Sequence, residues 1–129
     1  MRTIEDIQDE IDRLWGKIER AEEFIRLLKE ASGRISGKKD AIDTDVYRPF
    51  LAYDMTKASK WRGERERDAA ELKKKINELT EDAQKSTSTL LSEIDAAIEK
   101  LEELIEEWKA RIDHLEAEKD ELEGMQEAQ

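Results

Sequence analysis

The sequence predicts an all-α protein: an elongated antiparallel helical hairpin or coiled coil with an interrupted first arm and one long C-terminal helix. Charged residues make up 44% of the chain and aromatic residues only 5%, which is typical of long helices with narrow apolar stripes. Apolar residues also follow a heptad spacing in both halves of the chain. The two predicted upstream helices together roughly match the last helix in length, as a hairpin requires. The length predicts a single domain over residues 1–129.

The first helix is predicted over residues 3–31. Thr3 and Asp6 form a loose capping-box pattern at its start. Trp15 and Phe24 flank the apolar seam and widen it into a stripe able to contact more than one helix. The seam positions, which alternate three and four apart, are Ile4, Ile7, Ile11, Leu14, Ile18, Ala21, Ile25 and Leu28.

Small residues interrupt this first pattern. Gly16 lies inside it and is expected to leave room for a close helix neighbour, with a kink as the alternative. The pattern stops after Ala31, where two Ser-Gly pairs follow, at positions 32–33 and 36–37. These residues favour turns and helix ends, so residues 32–44 are predicted to form a connection.

A short second helix is predicted over residues 45–60. Thr44 or Asp45 is its expected N-cap, which places Pro49 in the first turn, where its missing N–H is not needed. The residues that would share one face are Val46, Phe50, Tyr53 and Trp61. This is the most aromatic stretch of the chain. Two interpretations remain open for it: the main packing cluster of the bundle, or a patch that binds a partner.

A turn is predicted at residues 61–63 and a long helix at residues 64–124. Three successive steps of four, from Ser86 to Ile98, make a stutter that locally unwinds a supercoil. The stutter coincides with the Ser-Thr run at 86–89, where a bend or break is possible and continuity is favoured. The apolar series of this helix is Leu72, Ile76, Leu79, Ala83, Ser86, Leu90, Ile94, Ile98, Leu101, Ile105, Trp108, Ile112, Leu115, Lys119 and Leu122.

The charge of the chain bounds its partners and compartment. A formal net charge of −11 disfavours nucleic acid and anionic membranes, which both require a basic surface. There is no apolar run of about 20 residues for a membrane span. The acidic N-terminal stretch does not fit a cleavable signal peptide. We therefore expect a cytoplasmic protein, or one exported without a cleaved signal.

The residue types that enzymes need are scarce. His114 is the single histidine, so no histidine-based triad or metal cluster assembles easily. A di-iron bundle requires two Glu-x-x-His motifs, and Arg111 occupies the position of the glutamate. The glycines form no phosphate-binding loop. The sequence therefore predicts a protein that is not an enzyme and uses no cofactor, with a carboxylate metal site as a remote alternative.

A tripeptide between the two helical patterns carries a resemblance to a known family. Trp61-Arg62-Gly63 is a Trp-x-Gly motif followed by a charged helix with repeated apolar residues, beginning at Leu72 and Ile76. This arrangement resembles the WXG (ESAT-like) family of type VII secretion. It is most similar to the longer subgroup of small helical proteins encoded beside LXG-domain toxins. The specific part of the resemblance covers about 15 residues.

The resemblance implies a role as a secretion partner, chaperone or targeting factor. Such proteins pair helix against helix with the N-terminal domain of a toxin. The family's usual export signal is Tyr-x-x-x-Asp/Glu, or a Phe variant, near the C-terminal end of the hairpin, but the C-terminal helix here contains no Tyr or Phe. Phe50 and Asp54 have the variant's spacing ahead of the Trp-x-Gly turn. The resemblance therefore implies a cytoplasmic targeting partner, or export through a signal on another subunit.

Two kinds of assembly remain open at this stage. In a hetero-oligomer, the candidate residues for the turn and for partner binding are Trp61, Gly63, Phe50, Tyr53, Asp54, Trp15 and Phe24. In a generic structural coiled coil, such as a homodimeric spacer or scaffold, self-association is expected through the seam from Ile4 to Leu28. The second arrangement requires no aromatic residues near the turn.

Overall fold

The computed structural model describes residues 2–53 and 64–128, and every regular element within these ranges is helical. The elements are α1 (Ile4–Ala41), a π-helical segment (Ile42–Tyr47), α2 (Arg48–Ala52) and α3 (Glu64–Ala128). The predicted all-α class with a long C-terminal helix is confirmed, whereas the turn predicted at residues 61–63 lies outside the described ranges. The contacts of the chain divide it into unit 1 (Met1–Glu30 with Asp95–Gln129) and unit 2 (Ala31–Ile94). A single domain stays a prediction.

The capping box predicted at the start of α1 is formed. The backbone N–H of Asp6 donates to Thr3 Oγ1 at 3.1 Å, and the backbone N–H of Thr3 donates to Asp6 Oδ2 at 3.2 Å. Two N–H groups that have no partner within the helix are thus satisfied reciprocally. These hydrogen bonds from Thr3 lower the pKa of the Asp6 carboxyl below its usual value.

The core of unit 1 lies between one face of α1 and one face of α3. The residues from α1 are Ile7, Ile11, Leu14, Ile18, Ala21 and Ile25, and those from α3 are Ile98, Ile105, Ile112 and Leu115. Ile7 and Leu115 are fully buried, and burying each such side chain contributes about 1.5–3 kcal/mol. The predicted seam is confirmed, but α3 of the same chain covers it. Self-association through Ile4 to Leu28, expected for a generic coiled coil, stays a prediction, and in this chain it would have to replace the contact with α3.

Polar contacts across unit 1 establish that its two helices are antiparallel. Lys119 Nζ donates to Gln8 Oε1 at 2.8 Å, and Arg111 Nε donates to Glu10 Oε1 at 3.4 Å. Residues early in α1 thus meet residues late in α3. Lys119 occupies a seam position where the heptad pattern otherwise places apolar residues, and it is half-buried.

The connection predicted over residues 32–44 is wrong, because α1 continues to Ala41. Gly33 and Gly37 lie inside the helix, are exposed, and have no atom within 4 Å of an added Cβ. Each glycine costs about 1 kcal/mol of helix propensity relative to alanine but does not forbid the helix. Ile35 is half-buried, so packing on this stretch outweighs its weak propensity.

Two other glycines also differ from expectation. Gly16 is not a site of close helix approach, since the nearest atom to an added Cβ is Arg20 Nη1 of the same helix, at 3.7 Å. Gly124 does not end the last helix at the predicted boundary, because α3 runs on to Ala128.

The interruption of the first arm is a change of helical hydrogen bonding, and its cause is Pro49. Proline lacks the N–H that would bond to the carbonyl of Asp45, and its ring crowds that carbonyl. The chain widens ahead of it: the backbone N–H of Arg48 bonds to the carbonyl of Asp43, five residues back, as in a π-helix. Pro49 lies in the first turn of α2 as predicted. Thr44 and Asp45 are not an N-cap, because they lie within the π-helical segment.

α3 is continuous through residues 86–89, where a bend or break remained possible. Thr87 Oγ1 donates to the carbonyl of Ala83 at 2.9 Å, and Thr89 Oγ1 donates to that of Lys85 at 3.1 Å. A hydroxyl group that donates to the carbonyl four residues back has a hydrogen-bond partner while its residue stays helical. The low propensity of the run therefore does not end α3.

The two arms of unit 2 are also antiparallel. Gln84 Nε2 donates to the carbonyl of Lys39 at 3.0 Å, and the Tyr47 hydroxyl donates to Glu81 Oε1 at 2.5 Å. The positions of α3 that face the first arm here are half-buried. They are Lys73, Asn77, Thr80, Gln84, Thr87, Leu91 and Ile94. Unit 2 therefore has a largely polar interior.

The prediction of the heptad seam in the first half of α3 is wrong, because the predicted positions lie one residue away from those that face the first arm. Its members Leu72, Ile76, Leu79, Ala83, Ser86 and Leu90 are all exposed. One residue is a rotation of about 100° in an α-helix, so this apolar series lies beside the inward face. The inward positions alternate three and four apart from Asn77 to Leu122, without a stutter.

Candidate partner-binding site

Lys73 of α3 supports the aromatic residues at the end of the first arm. Its Nζ donates to the backbone carbonyls of Leu51 (3.2 Å) and Tyr53 (2.6 Å) and lies 5.8 Å from the centroid of the Phe50 ring. The last carbonyls of a helix have no partner within it, and a cation is favourable beside them. Lys73 thus ties α3 to the C-terminal end of α2 and holds one side of Phe50.

Tyr47 makes the second polar link in this part of unit 2. The hydrogen bond to Glu81, with desolvation and the nearby charges of Glu81 and Asp43, raises the pKa of the Tyr47 phenol to about 12. The ionised phenol would meet two carboxylates, so the neutral, donating form is favoured. Tyr47 is half-buried and fixes the π-helical segment against α3.

The aromatic stretch is not the main packing cluster of the protein. No residue of the π-helical segment or of α2 is buried. Phe50 is half-buried, Val46 is 60% exposed and Tyr53 is 58% exposed. Most of the described buried core lies in unit 1, so the packing interpretation is wrong for the described members of the stretch, while Trp61 lies outside the described residues. The partner-binding interpretation stays a prediction.

The other residues predicted to bind a partner fall into two groups. Trp15 and Phe24 lie on α1 in unit 1 and are 43% and 55% exposed. They flank the seam as expected, but on opposite sides of it, because Trp15 follows the buried Leu14 and Phe24 precedes the buried Ile25. Trp61, Gly63 and Asp54 lie outside the described residues.

The apolar side chains of unit 2 form a surface that the sequence pattern assigned to the core. Relative to the inward positions of α3, the exposed Leu72, Ile76, Leu79 and Leu90 each lie one residue earlier. On the first arm, Ile42 and Val46 are exposed and lie one residue before the half-buried Asp43 and Tyr47. The one sequence signal of this offset is the stutter between Ser86 and Ile98.

These two sets of side chains lie on the same side of unit 2. In an antiparallel pair, an equal offset from the inward face turns both helices toward one side, since the opposite directions reverse the sense of rotation. We call this surface the apolar face, formed by Ile42, Val46, Leu72, Ile76, Leu79 and Leu90. The residues one step beyond the inward positions form the other side, which is polar except for Leu51. Its polar members include Asp40, Thr44 and Arg48 on the first arm and Lys74, Glu78, Glu81, Lys85 and Ser88 on α3.

A shallow groove of about 270 Å³ lies between the arms at one end of unit 2. Its lining residues are Arg34, Ile35, Lys38, Lys39, Ile42, Gln84 and Thr87. Ile42 belongs to both the groove and the apolar face. Arg34, Lys38 and Lys39 form no ion pair with another described residue, so the groove brings free cationic groups beside an apolar surface.

The formal charge of the chain is concentrated in unit 1. Unit 2 carries 13 Lys and Arg against 12 Asp and Glu, whereas unit 1 carries 10 against 22. Five glutamates of α3 line a surface depression in unit 1: Glu99, Glu102, Glu103, Glu106 and Glu107. Among the described residues, no group of three His, Cys, Asp or Glu side chains is arranged to hold a metal ion.

No protein-family model, curated protein or solved structure matches this chain. Within residues 2–53 and 64–128, no helix combines the length and apolar character that a membrane span requires.

Proposed function

We propose that this protein is a non-enzymatic helical adaptor or targeting partner for an LXG-type toxin of type VII secretion. It binds the helical N-terminal domain of that toxin. It acts in the cytoplasm, or leaves the cell without a cleaved signal peptide as part of the complex.

The exposure of large side chains ahead of the Trp-x-Gly stretch carries this proposal. Leu51 is 44% exposed and Tyr53 is 58% exposed, and Lys73 fixes both backbones by hydrogen bonds. Exposed aromatic side chains on a backbone that is held by hydrogen bonds are typical anchors of protein interfaces. A helical hairpin that presents such anchors ahead of Trp61-Arg62-Gly63 in the sequence fits a protein whose partner is another helical domain.

Co-expression with the helical domain encoded by the adjacent toxin gene tests the proposal. We expect a stoichiometric complex whose mass by light scattering is the sum of the two chains. Changing Phe50 and Tyr53 together to alanine is expected to weaken the complex by at least about tenfold, as for the loss of interface anchors. Met125→Ala is the matched control, because Met125 is also exposed, at 55%, but lies in unit 1.

Two outcomes would contradict the proposal in different ways. A complex that forms equally well with the Phe50/Tyr53 double variant would remove these residues from the interface but leave the adaptor role. Absence of any complex with the toxin domain would remove the adaptor role itself. The competing function, a structural protein that only self-associates, would then be favoured.

A further inference from the structure

We infer that unit 2 pairs with unit 2 of a second copy of this chain through the apolar face, with the two α3 helices antiparallel across a two-fold axis near Gln84. This inference goes beyond the proposed function, since it concerns the chain alone. It begins from an imbalance: most inward positions of α3 in unit 2 are polar, while Leu72, Ile76, Leu79 and Leu90 are exposed.

The arms of unit 2 are joined mainly by polar contacts rather than by buried apolar side chains. Within the described part of the chain, Asn77 Oδ1 is buried and has no hydrogen-bond partner, although a buried polar atom without a partner is costly. Leu79, by contrast, is 69% exposed and Leu72 is 59% exposed. A contiguous apolar surface flanked by polar side chains is the usual mark of an interface between proteins.

The net charge of unit 2 favours a second copy as the occupant. With 13 cationic and 12 anionic side chains, two copies of unit 2 approach each other almost without net repulsion. Unit 1, with 10 against 22, would repel its copy strongly. The polar side of unit 2 is not apolar enough to compete for the same contact, so pairing is directed to the apolar face.

The pattern along α3 is self-complementary about one point. Gln84 is midway between the exposed Lys75 and Glu93, and the midpoint of Leu79 and Leu90 falls within one residue of Gln84. An antiparallel two-fold axis there brings Lys75 beside Glu93 of the second copy. The same operation brings Leu79 against Leu90 of the second copy, with the small Ala83 and Ser86 at the axis.

The residues of the first arm are arranged about the same two-fold axis. Lys39 lies opposite Gln84 through a hydrogen bond, so the axis crosses the first arm close to Ile42. Lys38 and Asp45 are both exposed and have Ile42 almost midway between them. The axis therefore brings Lys38 beside Asp45 of the second copy and Ile42 against its own equivalent. One axis pairs opposite charges on both arms.

The size of the face sets the expected strength. From Leu72 to Leu90, α3 rises about 27 Å, and two adjacent helices present a width of about 20 Å. Two such faces bury on the order of 1,100 Å², at the low end for specific interfaces. Interfaces of this size are typical of weak, transient pairs, so we expect a reversible dimer with a dissociation constant on the order of 1–100 µM.

Sedimentation equilibrium of the full chain, over roughly 1–500 µM to bracket that range, tests the pairing. The average mass should rise from the 15.1 kDa of one chain toward twice that value. Changing Leu79 and Leu90 together to glutamate should leave the chain monomeric throughout. Helicity by circular dichroism should be unchanged, because both side chains are exposed. Met125→Glu, an equally exposed change in unit 1, should dimerise like the wild type.

A charge exchange tests the symmetry separately, with variants that do not disturb packing. Lys75→Glu alone and Glu93→Lys alone should each weaken the dimer. The double variant should restore it, because each cation again meets an anion of the second copy. A wild-type chain that stays monomeric at every concentration would overturn the inference. So would a dimer that survives the Leu79/Leu90 double variant, or a double charge variant weaker than both single ones.

Discussion

Replacing Gly33 and Gly37 with alanine should stabilise the protein. Both residues lie inside α1, both are exposed, and nothing within 4 Å would obstruct a new Cβ. Glycine inside a helix costs about 0.5–1 kcal/mol relative to alanine, mainly through the larger conformational entropy of the unfolded chain. Each single change should therefore add about 0.5–1 kcal/mol, and the double variant about 1–2 kcal/mol.

Urea denaturation followed by circular dichroism measures this gain. The dependence of the unfolding free energy on urea is typically about 1–3 kcal/mol per molar for small proteins. The midpoint of the double variant should thus move up by roughly 0.3–2 M. Lys38→Gly is the reciprocal variant, at an exposed position in the same stretch, and should lower the midpoint by a similar amount. Gly124→Ala, in the last turns of α3, should have a smaller effect because helix ends fray.

The direction of the change in stability of the double variant distinguishes a helix from a turn at residues 32–44. If these glycines occupied a turn with positive φ, alanine would be strained and the double variant would be less stable than the wild type. A fall in the midpoint of the double variant would therefore refute the assignment of this stretch to α1. The two structures predict opposite directions of change, so the experiment does not depend on a small difference in size.

Three further predictions follow from burial, capping and titration. Ile112→Ala should cost about 2–5 kcal/mol of unfolding free energy, whereas Leu79→Ala should change it by less than about 0.5 kcal/mol, both measured by urea denaturation at a concentration where the chain is monomeric. Thr3→Ala should cost about 1 kcal/mol in the same assay. The ionisation of the Tyr47 phenol, followed by ultraviolet absorbance, should occur near its folded pKa of about 12. Because this value exceeds the usual 10.0, the hydrogen bond of Tyr47 stabilises the fold below pH 10, and this contribution is lost as the pH rises to about 12. Glu81→Ala should return the titration toward 10.

Each of these predictions has a matched control. Thr3→Ser keeps the capping oxygen and should retain most of the stability that Thr3→Ala loses. The Tyr47 titration is measured in a Tyr53→Phe background, so that one phenol ionises, and Glu78→Ala removes an exposed carboxylate of the next helical turn. Equal losses for Ile112→Ala and Leu79→Ala would mean that the inward face of α3 is misassigned. If the Tyr47 phenol titrated near pH 10 and Glu81→Ala did not change that titration, the hydrogen bond between Tyr47 and Glu81 would be contradicted.

The helical class and the core of unit 1 could be predicted because periodicity and burial agree there. The apolar positions from Ile7 to Ile25 repeat without a gap, and each is buried. Thr3 and Asp6 are close in sequence, so their capping box depends on no distant contact. Such local features need no knowledge of the partner helix.

Unit 2 could not be predicted in the same way, because periodicity identifies a stripe but not the surface that covers it. Leu72 and Leu79 have the heptad spacing of a core, yet they lie one residue away from the inward face. Ser-Gly pairs at 32–33 and 36–37 favour a turn by propensity, but packing around Ile35 keeps them helical. The π-helical segment follows from Pro49, whose effect on the preceding turn depends on whether the helix already exists.

The candidate binding residues are predicted from the aromatic content of the sequence. Aromatic content identifies the residue types but not the residues that contact them in the fold. Phe50 and Tyr53 lie at a helix end held by Lys73, a contact between residues 20 or more apart in sequence. No local pattern contains it. Trp61, Gly63 and Asp54 stay predictions, because they lie outside the described residues.

Lys119 gives unit 1 a unique alignment of its two helices. Successive heptads of α1 and α3 are nearly interchangeable, since Ile and Leu recur at equivalent positions, so either helix sliding by seven residues would still bury apolar side chains. Such a slip would take the Lys119 ammonium away from Gln8 and leave it facing Trp15 or the chain terminus. Lys119 would keep its ion pair with Glu123 of the same helix, but the lost hydrogen bond to Gln8 would cost about 1.5–3 kcal/mol. Polar contacts between the helices thus favour one alignment of a repetitive hairpin over its slipped alternatives.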